Sequence, residues 1–343
     1  WRIAVTGPQA EGQVTVPDNL TRGRPIVLDM QRLQLNREES SPAAVANATA
    51  TAQIDPRTLP AISAVAADFT WQSRRFGRLV AAISRDPRGL TIDSIATTSP
   101  AFDLLANGSW WMEQGAPRTR VEVLLTSTDF RAAAKALAFR DAIDASKAKF
   151  AANLWWPGGP SMDVLKTVNG ALHVSLEDGR LRDIEPGAGR MLGLFSVTQL
   201  PRRLALDFRD VTDEGLAFNS VQGDFEVRAG NAFTQNLLLK GAAIDMGIVG
   251  RTGLATEDYD QTIVVSGNPS GPLAVAGALA AGPVIGAGVL VLSQLFKDQL
   301  QGLTRAYYHV TGSWAAPVVQ RISAPAGVGA AAGTVEKQGE KSP

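Results

Sequence analysis

Residues 170–179 read Gly170-Ala171-Leu172-His173-Val174-Ser175-Leu176-Glu177-Asp178-Gly179. Leu172, Val174 and Leu176 alternate with Ala171, His173 and Ser175. Successive side chains of a strand leave opposite faces, so this period of two predicts a strand with one apolar face, ended by a turn at Asp178-Gly179. The pattern recurs outward along the chain. Leu204, Leu206 and Phe208 alternate with Ala205, Asp207 and Arg209, and Ile244, Met246 and Ile248 alternate with Asp245 and Gly247. Between Phe218 and Val221 the apolar parity shifts, which predicts a bulge near Asn219 and Ser220. The chain therefore reads as mainly β, an antiparallel sheet that is apolar along one face. Alternation alone fits a closed sandwich core as well as an open apolar surface.

Helical signals are few. Asp129 is a candidate N-cap for a short helix over Phe130 to Phe139, and residues 189–200 form an amphipathic turn or two closed by Pro201. Residues 145–153 have helical propensity, yet they run into Leu154-Trp155-Trp156 and the breaker Pro157-Gly158-Gly159-Pro160, which favours a strand. The Ser-, Ala- and Thr-rich stretch 36–60 reads as an exposed loop. Ala101-Phe102-Asp103-Leu104 and Gly108 return at one offset as Ala243-Ile244-Asp245-Met246 and Gly250, and Gly108-Ser109-Trp110 returns as Gly312-Ser313-Trp314. Such units suggest an array in which each buries its face against its neighbours.

Composition excludes several functions. The 33 basic and 33 acidic residues cancel, leaving no electrostatic footprint for nucleic acid. With no cysteine there is no disulfide or thiolate site, and His173 and His309 both lie in strand patterns without a nucleophile or second ligand beside them. No phosphate-binding glycine fingerprint or nucleophile elbow is present. The expectation is a protein without catalytic residues, cofactor or metal. Most of the seven tryptophans fall at strand ends.

Residues 273–292 read LAVAGALAAGPVIGAGVLVL, with no polar side chain. The run is long enough to cross a bilayer but rich in Gly and Ala, and Gly282-Pro283 breaks it at its middle. It reads as a bent apolar helical pair, either contacting a membrane through Leu273, Leu279, Val284, Ile285, Val289, Leu290 and Leu292 or buried as a hairpin. The end beyond Pro325 is small and polar, a disordered tail by composition.

The ordered succession Trp155-Trp156-Pro157-Gly158-Gly159-Pro160, the stretch 170–179, Glu185-Pro186-Gly187-Ala188-Gly189-Arg190-Met191-Leu192-Gly193-Leu194 and Leu206-Asp207-Phe208-Arg209-Asp210-Val211 resembles the C-terminal module of the AsmA-like superfamily. Asp258-Tyr259-Asp260-Gln261, the apolar run and Tyr308-His309-Val310-Thr311-Gly312-Ser313-Trp314 narrow the resemblance to the C-terminal region of YhdP-type proteins, relatives of TamB and YdbH. The resemblance implies a long sheet folded into an open hydrophobic groove, a β-taco. It also implies a periplasmic protein of the Gram-negative envelope, anchored in the inner membrane by an N-terminal helix this chain lacks, its C-terminal end towards the outer membrane. Phospholipids and the two membranes are the implied partners, with any envelope protein partner unknown.

On this reading 1–35 ends a preceding groove segment, 36–60 is a loop and 61–268 the groove module. The apolar helical segment follows at 269–302, a closing strand at 303–322 and the tail at 323–343. Leu172, Val174, Leu176, Leu204, Leu206, Phe208, Ile244, Met246 and Ile248 are the expected lipid-facing residues. A competing reading makes the chain a membrane-tethered scaffold that carries no lipid.

Overall fold

A computed structural model describes residues 1–20, 24–36, 54–139, 142–160, 162–182, 215–242, 244–267, 296 and 304–322. Its strands form one sheet of 16 in which spatial order follows chain order. They are β1 (Arg2–Thr6), β2 (Ala10–Thr15), β3 (Ile26–Leu35), β4 (Ile62–Trp71), β5 (Arg74–Asp86), β6 (Gly89–Thr98), β7 (Asp103–Glu113) and β8 (Ala116–Ser127). There follow β9 (Ile143–Pro157), β10 (Asn169–Leu181), β11 (Leu216–Arg228), β12 (Asn231–Lys240), β13 (Ile244–Gly253), β14 (Asp258–Gly267), β15 (Thr304–Ser313) and β16 (Ala316–Ile322). Neither end of the sheet pairs with the other, so it is a long open sheet and not a barrel.

Neighbouring strands are antiparallel except β3 and β4, which run parallel from Ile26↔Ile62 to Leu35↔Trp71. A parallel pair needs a crossover, and the connection between them returns to the starting edge. There Asp55 caps a 3-10 turn at Pro56–Thr58. Pro56 packs on Gly89, whose φ of 149° and closeness to the Trp110 carbonyl leave no room for a Cβ.

Because each antiparallel strand reverses the last, the connections fall on two edges. The turns β5–β6, β7–β8, β11–β12, β13–β14 and β15–β16 share one edge, the tight-turn lip. The β8–β9, β10–β11 and β14–β15 connections, the longest from β4 onward, share the other, the insertion lip. Helix α1 (Phe130–Ala136) belongs to the insertion lip. Asp129 caps it, its side chain accepting from the Ala132 N–H at 2.9 Å. The helix stops short of Phe139 because Ala138 turns left-handed at φ 56° and the Phe139 N–H closes on the Ala134 carbonyl.

The one-faced alternation holds at the level of burial. Along β11, Leu216, Phe218, Val221, Phe225 and Val227 are buried, while Ala217, Asn219, Gln222, Asp224, Glu226 and Arg228 are exposed. Each such Leu, Val or Phe contributes ~1.5–3 kcal/mol of apolar burial. Residues 145–153 are strand, since pairing with β8 and β10 on both sides outweighs local helix propensity.

The turn expected at Asp178-Gly179 is absent, and β10 runs on to Leu181. Asp178 instead adopts φ 44°, and a Cβ on Gly179 would strike the Asp144 carbonyl and the Phe218 ring. The inward parity changes at this point, from Leu176 to Leu181 on β10 and between Phe218 and Val221 on β11. Glycine allows the sheet to coil here and at Gly108 and Gly170, where a Cβ would lie 2.0–2.1 Å from the carbonyl of the next strand.

Candidate functional site

The register aligns inward side chains of successive strands into rows running along the sheet. One row passes through Ala106, Val123, Ala152, Leu172, Phe225, Thr234, Gly250, Gln261 and Val310. The row nearer the tight-turn lip passes through Gly108, Val121, Leu154, Gly170, Val227, Ala232, Thr252, Tyr259 and Gly312. A single apolar cluster joins this face from Phe102 to Val319.

Its accessibility changes along the sheet. Val121, Leu125, Phe150, Leu154 and Leu172 are only half-buried and pack at the border of the cluster, whereas the inward residues of β11 to β15 are buried. Helix α1 lies on the inner face beside this half-open stretch. Phe130 stacks on Phe150 with ring centroids 5.4 Å apart, and the helix packs against both β9 and β5, strands four apart in the sheet. The apolar lane left accessible therefore runs over Val121, Val123, Ala152, Leu154 and Leu172, between α1 and the tight-turn lip.

The expected lipid-facing residues that fall in described strands share this face. Val174 and Ile248 lie in one row, Leu176 and Met246 in the next, all at 0–1% exposure, and Ile244 is as buried; Leu172 is half-buried in the lane. Leu204, Leu206 and Phe208 lie outside the described residues, as do Leu273, Leu279, Val284, Ile285, Val289, Leu290 and Leu292 and the amphipathic stretch 189–200. Phe296, between β14 and β15, is buried on the opposite, outer face against Val249, Val264, Tyr307 and Ile322, with its ring over Gly247. The lane residues of β8 and β9 escaped the sequence reading although Val121, Val123 and Leu125 alternate plainly with Arg120, Glu122 and Leu124. The role of α1 had no local signal, because it depends on strands distant in sequence.

Polar chemistry is sparse inside. Gln261 donates to Thr252 at 2.7 Å, both buried, with Thr234 beyond Gly250 in the neighbouring row. Both histidines face outward. His173 donates to Asp224 at 2.7 Å, and with a second bond from Asn236 it holds that carboxyl below its ordinary range. His309 meets Asp260 at 3.0 Å. Arg251 and then Thr256 hydrogen-bond Asp258 and lower its pKa to about 2. Burial raises the Tyr259 hydroxyl far above its usual value. Among the described residues no group of His, Asp or Glu is arranged to hold a metal ion, and no helix is long and apolar enough to cross a membrane.

The sequence profile of the YhdP protein family matches residues 1–319. The chain belongs to the YhdP family. It is 28% identical over 250 residues to the intermembrane phospholipid transporter YhdP of Escherichia coli strain K12. That alignment covers 73% of this chain but 20% of the longer relative. No solved structure matches. The open 16-stranded sheet is the groove architecture that the family resemblance implied.

Proposed function

We propose that this chain forms a segment of a lipid conduit, in which acyl chains travel along the inner face while headgroups stay in water. The observation that carries the reading is the lane over Val121, Val123, Ala152, Leu154 and Leu172, an apolar strip left partly accessible in a sheet otherwise sealed inside. Exposing acyl chains to water costs ~0.8 kcal/mol per CH₂. A continuous apolar strip lowers that barrier without bond-making chemistry, consistent with a protein that is not an enzyme. The relative's activity supports phospholipid as cargo between two membranes of a Gram-negative envelope. In this reading the chain is periplasmic and lies at the outer-membrane end of a protein anchored in the inner membrane. The described inner residues Leu172, Val174, Leu176, Ile244, Met246 and Ile248, with Leu204, Leu206 and Phe208, face the cargo. The apolar run 273–292 contacts a membrane.

Photo-crosslinking tests it. A benzophenone amino acid placed at Leu154 or Leu172 should yield phospholipid adducts detectable by mass spectrometry, whereas the outward neighbours Asn153 and Ala171 should not. Equal labelling on both faces, or none on either, favours the scaffold reading.

A further inference from the structure

Six of the seven tryptophans, Trp1, Trp110, Trp111, Trp155, Trp156 and Trp314, sit on the tight-turn lip, and only Trp71 ends on the other. On the outer side of the same lip, arginines lie over aromatic rings. The Arg88 guanidinium is 3.5 Å from the centre of the Trp111 ring, Arg118 is 4.8 Å from Trp155, and Arg228 is 5.8 Å from Phe233. These are all the arginine–aromatic stacks among the described residues. Their rings belong to β7, β9 and β12, so at ~4.8 Å per strand they recur at intervals of roughly 10–15 Å along the sheet. The accessible lane lies just inside this lip, one row from the inward Trp110 and Trp156.

We infer that the tight-turn lip is a phosphodiester-binding rail, on which the stacked arginines Arg88, Arg118 and Arg228 hold the headgroup of a lipid whose tail lies in the lane. The inference rests on the conduit reading and adds which lip carries the headgroup and by what chemistry. Stacking fixes each guanidinium plane by its face and leaves its edge, with N–H donors in the fork geometry that suits phosphate, directed to solvent. The side chains are 38–65% exposed. Indole at the boundary between an apolar strip and water matches the glycerol region of a lipid, where an amphipathic ring is favoured. Each arginine has a carboxylate nearby: Arg88 has Asp86, Arg228 has Glu226, and Glu113 is shared between Arg118 at 3.5 Å and Arg120 at 3.0 Å. These four arginines face three carboxylates. Exposed ion pairs are weak, so a bidentate phosphate displaces them.

The test compares two lipids with identical tails, phosphatidylglycerol and diacylglycerol, binding to the full chain and to the Arg88→Gln, Arg118→Gln, Arg228→Gln variant. The exposed substitutions are checked for an unchanged melting curve. The wild-type chain should bind phosphatidylglycerol roughly ten-fold more tightly than diacylglycerol, as charge-assisted hydrogen bonds to one phosphate allow. The variant should bind both equally, with diacylglycerol affinity unchanged. Competition by glycerophosphate without tails separates recognition of any free phosphate, which it would inhibit at low concentration, from recognition of a lipid held by its tail, which it would not. A variant that keeps the preference for phosphatidylglycerol overturns the rail but leaves the conduit standing. Binding of neither lipid overturns the conduit itself.

Discussion

Leu172 and Ile248 lie on the same inner face, and an aspartate at each should produce opposite pairs of effects. Leu172 is half-buried in the lane, while Ile248 is 1% exposed beneath the closed part of the sheet. In Leu172→Asp about half of a full Leu burial is lost, roughly 1 kcal/mol, and the new carboxylate remains in water. In Ile248→Asp the whole transfer term of ~2–3 kcal/mol is lost, and a stranded buried charge adds several more. The poor strand propensity of Asp enters both and largely cancels. Urea unfolding should therefore place Leu172→Asp within about 2 kcal/mol of wild type and Ile248→Asp beyond about 5 kcal/mol or unfolded. Lipid recovered by organic extraction should nevertheless collapse in Leu172→Asp, because a tail cannot cover the charge without desolvating it. Equal destabilisation by the two substitutions would show that Leu172 faces a sealed core, and a folded Leu172→Asp with full lipid content would remove the lane from the path.

Gly170→Ala should lower stability by about 3 kcal/mol in thermal melts, since its φ of 134° and the Asn153 carbonyl 2.0 Å from the Cβ position both oppose a side chain. Asp129→Ala should cost about 1 kcal/mol and speed hydrogen exchange across 130–137, as α1 loses its cap. The Arg251–Asp258 pair lowers the carboxyl to about 2, so its contribution is complete above the unfolded carboxylate value near 4 and disappears as pH falls from there towards 2. Solvent exposure reduces that contribution to roughly 1 kcal/mol, and Asp258→Asn should flatten stability over that pH interval.

What the sequence determined by itself was everything that follows from a period of two: strands at 143–157, 169–181, 216–228 and 244–253, the face each turns inward, and the parity change after Phe218. It also limited the chemistry, because two histidines and no cysteine leave little with which to build a catalytic or metal centre. The apparent turn at Asp178-Gly179 misled for a local reason: an Asp-Gly pair suits a hairpin turn and a coiled strand alike, and only pairing with both β9 and β11 selects the strand. The parallel step from β3 to β4, the accessible lane and the shared lip of six tryptophans belong to tertiary structure alone. Alternation states which side chains point the same way but not how strands are ordered, so it cannot show that Arg118 reaches Trp155 or that α1 touches β5 as well as β9. Those meetings depend on strand order and sheet coiling, which bring together residues that no local period relates.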